Sequence, residues 1–316
     1  MKALVPAHLK DAIEEALGTS ASRFDLVPYD QDSRILGDSS GSRAFFRWWI
    51  PRDDFQHILD GHPDVAWVHT GSVGVDHILT PQFLAKAIPL TNSSGVNAVS
   101  MAEWVVGCMI ALQKRLPEAL ERQRRREWEK TEEAELAGQA ALFIGGGRVA
   151  SEIASRLAAF SMERIALTRS GEERGGFDQT SSIDDLHAQL PGADWIIVSA
   201  PLTSETEGII GEAELGLMKR EARIVNVARG ELIDQDSLVA ALRSGRIAGA
   251  VLDVFEEEPL PDSNPLWAMP GVIVLPHTTW RSPEAKRRQV ALFAENLKRF
   301  EANGELLNLV DPSRGY

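Results

Sequence analysis

Apolar and polar positions fall into alternating blocks along the first hundred residues. KALVP, AFFRWWI and VAWVHTG are short apolar runs, and HLKDAIEEALG and RDDFQHILDG between them have helical periodicity. This strand–helix rhythm predicts a parallel sheet with helices on its faces. NAVSMAEWVVGCMIALQKRL predicts a long helix, with Asn97 or Ser100 as its N-cap. A polar arm follows, PEALERQRRREWEKTEEAELAG. The rhythm restarts at Gln139. AALFIGGG, RIALTRS, DWIIVSAP, ARIVNVARG, GAVLDVF and GVIVLPH each end in a turn or a polar residue. They predict a second parallel sheet of about six strands. SPEAKRRQVALFAENLKRFEANG is expected to be a helix that returns to the first domain. The expected domains are 1–98 with 285–316, and 99–284. A cleft between two such domains is a favoured place for a small molecule.

The chain has 316 residues, 44% of them hydrophobic, enough for two ordinary cores. A formal net charge of -13 argues against a nucleic-acid-binding surface. No stretch of about eighteen apolar residues predicts a membrane span, and the N-terminus lacks the pattern of a signal peptide. The single cysteine, Cys108, cannot form an internal disulfide, which fits a cytoplasmic location. The basic run Arg122 to Glu127 is interleaved with glutamates and reads as a solvated or subunit-facing helix surface. No metal site is expected. His57 and His62 stand five apart on a predicted helix, off one face, and read as surface residues.

GGGRVA, Gly145 to Ala150, has the form G-x-G-x-x-A between a strand and a helix. Gly145 permits the tight turn, and Gly147 lets the backbone approach a pyrophosphate. Arg148 and Val149 open the helix, whose N–H groups and positive dipole end favour phosphate. The next strand ends in Thr168, Arg169 and Ser170, with no carboxylate for a ribose 2′-hydroxyl. An arginine with hydroxyls suits a 2′-phosphate, so NADP(H) is expected to be preferred. Glu172 and Glu173 nearby keep NAD as the alternative.

Three strand ends carry candidate chemistry: Arg229 in NVARG, Asp253 in LDVFEEEPL and His277 in LPHTTW. In an open parallel sheet, ligands bind beyond the carboxyl ends of the strands. Taken alone, His277 is a structural histidine, a metal ligand or a proton donor.

Together with TGSVGVDHI, the NAVSMAEWVV helix and APLTSETEGIIG, these segments resemble the D-isomer-specific 2-hydroxyacid dehydrogenases in order and spacing. The resemblance covers nearly the whole chain, most strongly Val65 to Val290. The arm QRRREWEK and PHTTWRSPEA are most similar to the glyoxylate/hydroxypyruvate reductase branch. The resemblance implies an α/β fold of two Rossmann-like domains, one flavodoxin-like and one dinucleotide-binding, with parallel sheets and an interdomain cleft. It implies that Arg229 holds the substrate carboxylate, that His277 is the general acid, and that Glu258 pairs with His277 and orients it. Asp253 would accept from the nicotinamide carboxamide, and Thr203 and Val227 would lie along the cofactor. Ser72 and the backbone N–H groups of Val73 and Gly74 would bind the substrate carboxylate, and Trp280 would line the site. Glu256 and Glu257 read as solvated. Trp48 or Trp49 would wall the substrate pocket, unless they are core residues, and Arg47 or Arg52 would attract a polar tail. A homodimer is implied, with Trp128 reaching across its interface. Ala150 replaces the third glycine of the phosphate motif. Ser161 stands where a glycine commonly ends the helix, so that turn is expected to close another way. The implied activity is reduction of a small 2-keto acid by NADPH or NADH. The alternative is a nucleotide-sensing corepressor on the same fold.

Overall fold

The computed structural model describes residues 1–313. The chain forms two compact units, one of Met1–Asn97 with the segment that begins at Arg281, the other of Ala98–Trp280.

The first unit holds strands β1 (Lys2–Pro6), β2 (Asp25–Tyr29), β3 (Ala44–Arg47), β4 (Trp67–Thr70) and β5 (Leu90–Thr91). Helices α1 (Lys10–Leu17), α2 (Arg52–Gly61) and α3 (Pro81–Ala85) connect them. The sheet is parallel throughout, in the order β2-β1-β3-β4-β5. Its strands are buried on both faces, which explains continuous apolar runs such as AFF and ALV. β2 and β5 were not foreseen: a proline interrupts β2, and β5 has only two residues.

The second unit opens with α4 (Ala98–Gln113) and α5 (Leu116–Arg125). Its strands are β6 (Ala140–Ile144), β7 (Glu163–Thr168), β8 (Gln179–Ser182), β9 (Trp195–Val198), β10 (Arg223–Asn226), β11 (Gly249–Leu252) and β12 (Val272–Val274). Helices α6 (Arg148–Ala158), α7 (Leu186–Gln189), α8 (Glu212–Leu217) and α9 (Gln235–Arg243) alternate with them. The parallel order is β12-β11-β10-β9-β6-β7-β8. The chain reverses its direction of travel across the sheet between β6 and β9, the switch point at which such sheets bind nucleotides. Leu142, Phe143, Ile196, Ile197, Ile224 and Val225 are fully buried at its centre. Each such side chain contributes about 1.5–3 kcal/mol relative to exposure. The sheet has a seventh strand, β8, whose sequence QTSS has no apolar residue and so gave no strand signal.

The helix α10 (Pro283–Glu301) packs beside α1 in the first unit. Phe293 stacks on Phe46 and Trp67 there, with ring centroids 4.5 and 5.5 Å apart.

Three local expectations change. Ser100 lies inside α4 and does not cap it; its hydroxyl donates to Thr279 O at 2.8 Å. Asn97 precedes the helix, but its buried Oδ1 accepts no hydrogen bond among the described residues. Ser161 itself takes the left-handed conformation, φ 55°, after α6, so the turn keeps the geometry a glycine would give.

Candidate active site

The phosphate turn follows β6 directly. Gly145 has φ 101°, and a Cβ there would lie 2.9 Å from Ala200 N, beyond the end of β9. A side chain is excluded twice, by conformation and by space. Gly146 faces Thr168 Cγ2 and the stem of Arg174. Gly147 is exposed with open space around its Cα, and it precedes α6, which Arg148 and Val149 begin. The first N–H groups of that helix have no intrahelical acceptor. This cradle fits a dinucleotide pyrophosphate. Ala150 is fully buried in the core, where its methyl is accommodated.

Thr168 ends β7 and accepts from Gly171 N at 3.0 Å. Arg169 and Ser170 are exposed. Arg169 donates to Glu205 Oε1 at 2.9 Å, a carboxylate on the loop after β9 that sequence reading did not connect with it. Thr203 lies on that loop, and its hydroxyl is 3.1 Å from Thr206 Oγ1. Val227, just past β10, is buried.

β10, β11 and β12 are neighbours in the sheet, and their carboxyl ends carry Arg229, Asp253 with Glu258, and His277. His277 Nδ1 lies 2.7 Å from Glu258 Oε2. Glu258 Oε1 accepts from Phe255 N at 3.1 Å, which fixes the carboxylate. Burial works to raise the Glu258 carboxyl, but the His277 hydrogen bond, the His277 charge, the Phe255 amide and the Arg229 charge outweigh it and hold it below its ordinary value. With the carboxylate on Nδ1, Nε2 is left to act on a substrate.

Arg229 sits in a braced turn. Buried Asn226 donates from Nδ2 to Arg229 O at 2.8 Å and accepts from Ala228 N at 3.1 Å. Gly230 packs on the next loop so closely that a Cβ would fall 2.0 Å from Phe255 C. Neither Asn226 nor Gly230 was singled out from sequence. The signal was there, in the NVARG run itself.

Asp253 is 1% exposed, and burial raises its carboxyl above the ordinary value despite the bonds it accepts. Its oxygens accept from Thr278 N at 2.8 Å, Thr279 N at 3.2 Å and Thr279 Oγ1 at 2.5 Å. It therefore ties down the loop that carries His277. That loop needs the restraint, since His277 has φ 49°, a conformation that costs a residue with a side chain about 1–2 kcal/mol. Trp280 Nε1 donates to His277 O at 2.9 Å and closes the loop from its other end.

Glu256 is exposed, but not merely solvated as expected: its Oε1 accepts from Gln235 N at 2.9 Å, at the start of α9. Glu257 is exposed.

Ser72, Val73 and Gly74 follow β4 in the first unit. The Ser72 hydroxyl lies 2.8 Å from Thr70 Oγ1. Trp48 lies against Gly71, where a Cβ would meet its ring at 2.6 Å. Trp49 is 60% exposed with φ 49°, so core packing does not describe it. Arg47 is buried and donates to Ile50 O at 2.6 Å, and its Nη1 lies 3.0 Å from His77 Nε2; it braces its own loop. Arg52 begins α2 and is exposed. His57 is exposed, whereas His62 is half-buried and bridges Ile58 O and Ser39 Oγ. Among the described residues no cluster of His, Cys, Asp and Glu is able to hold a metal, and no helix is long and apolar enough to cross a membrane.

Residues 106–279 match the family model described as D-isomer specific 2-hydroxyacid dehydrogenase, NAD binding domain. A glyoxylate reductase of Aeropyrum pernix is 32% identical over 316 residues, covering 96% of this chain and 94% of its own. A D-3-phosphoglycerate dehydrogenase of Methanocaldococcus jannaschii is 32% identical over 304 residues, 94% of this chain but 55% of that protein's length. The NADPH-dependent glyoxylate/hydroxypyruvate reductase of Sinorhizobium meliloti, solved with NADP and sulfate, superposes with a TM-score of 0.85 at 26% identity, over 100% of this chain and 99% of its own.

Proposed function

This chain belongs to the D-isomer-specific 2-hydroxyacid dehydrogenase family, and from that premise we propose that it reduces a small 2-keto acid, of the glyoxylate or hydroxypyruvate kind, to the D-2-hydroxy acid with NADPH preferred. The observation that carries this reading is the His277–Glu258 pair at 2.7 Å, with Arg229 close enough to act on the same carboxylate.

The roles follow from chemistry. Reduction of a ketone needs a proton at the carbonyl oxygen as the hydride reaches carbon. His277 donates that proton from Nε2, and it takes the proton back in the oxidative direction. Glu258 stabilises the imidazolium and sets the ring's orientation. Arg229 offers a planar fork to the substrate carboxylate and polarises the adjacent carbonyl. The amides of Val73 and Gly74 are proposed as further donors to a substrate carboxylate, with Ser72 and Trp280 as candidate substrate contacts. A reduced nicotinamide, when bound, supplies the hydride. Gly145, Gly147, Arg148 and Val149 would hold the pyrophosphate of the dinucleotide, and Thr203, Val227 and Asp253 would lie along it.

Arg169 and Ser170 are suited to a ribose 2′-phosphate. The Sinorhizobium meliloti reductase, whose fold this chain shares, is NADPH-dependent. The similarity to the Aeropyrum pernix glyoxylate reductase supports a small 2-keto acid. A homodimer is proposed as well. Trp128 is 95% exposed on the arm after α5, close in sequence to exposed Leu116 and Leu120, and a second copy would cover it. The expected location is cytoplasmic.

The test is loss of reduced-nicotinamide absorbance with glyoxylate, hydroxypyruvate, pyruvate and phenylpyruvate, each with NADPH and NADH. A higher kcat/KM for glyoxylate or hydroxypyruvate with NADPH is expected. Equal values for the two nucleotides would remove the preference, and no turnover with any pair would remove the reading.

A further inference from the structure

Three consecutive carbonyls after β4 are each held by a hydrogen bond from elsewhere in the first unit. Gly71 O accepts from Gln289 Nε2 at 2.7 Å, Ser72 O from Ser93 N at 3.0 Å, and Val73 O from Asn92 Nδ2 at 2.9 Å. Gln289 and Asn92 are buried, on α10 and just after β5 respectively. In a trans peptide the C=O of one residue and the N–H of the next point in opposite directions. Holding Ser72 O therefore aims the Val73 N–H the other way, and holding Val73 O does the same for the Gly74 N–H. The Ser72 N–H, which Gln289 aims, donates to Thr70 Oγ1 at 3.3 Å. Among the described residues, the amides of Val73 and Gly74 have no acceptor. Successive N–H groups aimed outward form a concavity suited to an anion.

The orientation of the Asn92 amide follows from its neighbours. Ser94 N, an obligate donor, lies 3.0 Å from Oδ1, and Val73 O, an obligate acceptor, lies 2.9 Å from Nδ2. The Asn92 backbone is itself tied at both ends to Asn308, its N–H to Asn308 O at 3.1 Å and its O to Asn308 Nδ2 at 3.3 Å. On the other side, Trp48 presses on Gly71 and leaves no room for a side chain.

We propose that Asn92 is a positioning residue that aims the Gly74 amide at the carboxylate shared by every 2-keto acid substrate, beside the Val73 amide that Ser93 N aims, while Gln289 anchors the start of the same turn. This rests on the functional reading above. Without the Asn92 donor the Val73–Gly74 peptide is free to rotate, and the anion loses an aimed N–H. The carboxylate is common to all the substrates, so the loss is the same whatever the tail of the keto acid.

The test uses Asn92→Leu, which removes the donor without adding charge, and Gln289→Met as a second variant. Far-UV circular dichroism and the thermal midpoint establish folding. In Asn92→Leu, KM for glyoxylate and for hydroxypyruvate should rise together by roughly tenfold or more, with KM for NADPH within twofold of wild type and kcat changed less than KM. Gln289→Met should shift the same two KM values in the same direction by a smaller factor, about threefold. Unchanged KM values in a folded variant, a rise confined to one keto acid, or equal changes in KM for NADPH would overturn the proposal. Should Asn92→Leu not fold, Asn92→Ser, whose shorter side chain does not reach Val73 O, decides by the same criteria. A wild-type enzyme with no 2-keto acid turnover would instead defeat the functional reading, a result distinguishable from either variant's.

Discussion

His277 Nδ1 and Glu258 Oε2 stand 2.7 Å apart although nineteen residues separate them in sequence. β11 and β12 are adjacent, and this adjacency brings the two loops together. Glu258→Gln keeps the shape and removes the charge that supports the imidazolium. The reductive kcat should fall by roughly ten- to a hundredfold, with the Kd for NADPH unchanged by fluorescence titration. Full activity in this variant would show that the pair only builds the loop.

Thr279 donates to the buried Asp253 carboxylate at 2.5 Å and so restrains the loop that carries His277. Thr279→Val leaves that carboxylate one donor short. A stability loss of about 1–3 kcal/mol is expected in urea unfolding, with a lower kcat and little change in KM for NADPH. A variant as stable and as active as wild type would mean that the backbone donors of Thr278 and Thr279 suffice.

Arg169 and Glu205 form an exposed ion pair, so a 2′-phosphate and Glu205 would compete for one guanidinium. Arg169→Ala should raise KM for NADPH by roughly tenfold and leave KM for NADH nearly unchanged. Glu205→Gln should lower KM for NADPH by no more than about fivefold, since exposed pairs are worth up to about 1 kcal/mol. Equal effects on both nucleotides would place the 2′-phosphate elsewhere.

His69 is fully buried between Thr91 and Ser93, and burial pushes its imidazole down to about 3. The unfolded chain binds that proton near the ordinary value of about 6.5. Between those values the unfolded state binds more protons, so stability falls as pH is lowered from about 6.5 toward 3. His69→Gln removes this linkage. Denaturation at pH 7 and pH 5 should show wild type losing up to about 2 kcal/mol more than the variant over that interval. Parallel losses would mean that His69 takes up no extra proton on unfolding.

The parts of the site legible in the sequence were those written in consecutive residues. GGGRVA lay between a strand and a helix, and Arg229, Asp253 and His277 each followed an apolar run. The pairing of His277 with Glu258 rested on family resemblance, because nothing local joins residues nineteen apart. What stayed hidden depends on the other partner. Thr279 gives no sign that its hydroxyl reaches Asp253, and Asn92 none that it holds Val73 O. Glu256 caps α9 across twenty-one residues. β8 escaped notice because an edge strand with a polar sequence has no apolar period, and Ser161 shows that a residue other than glycine can take a left-handed turn.

In the proposed mechanism His277 delivers the proton in a nicotinamide-dependent reduction of a 2-keto acid. The most direct measurement compares wild type with His277→Ala for glyoxylate-dependent NADPH oxidation, with NADPH binding measured on both proteins. An unchanged Kd for NADPH and a kcat lower by roughly a hundredfold or more are expected. Turnover within a few-fold of wild type in the variant would contradict it and leave His277 as a structural residue of its loop.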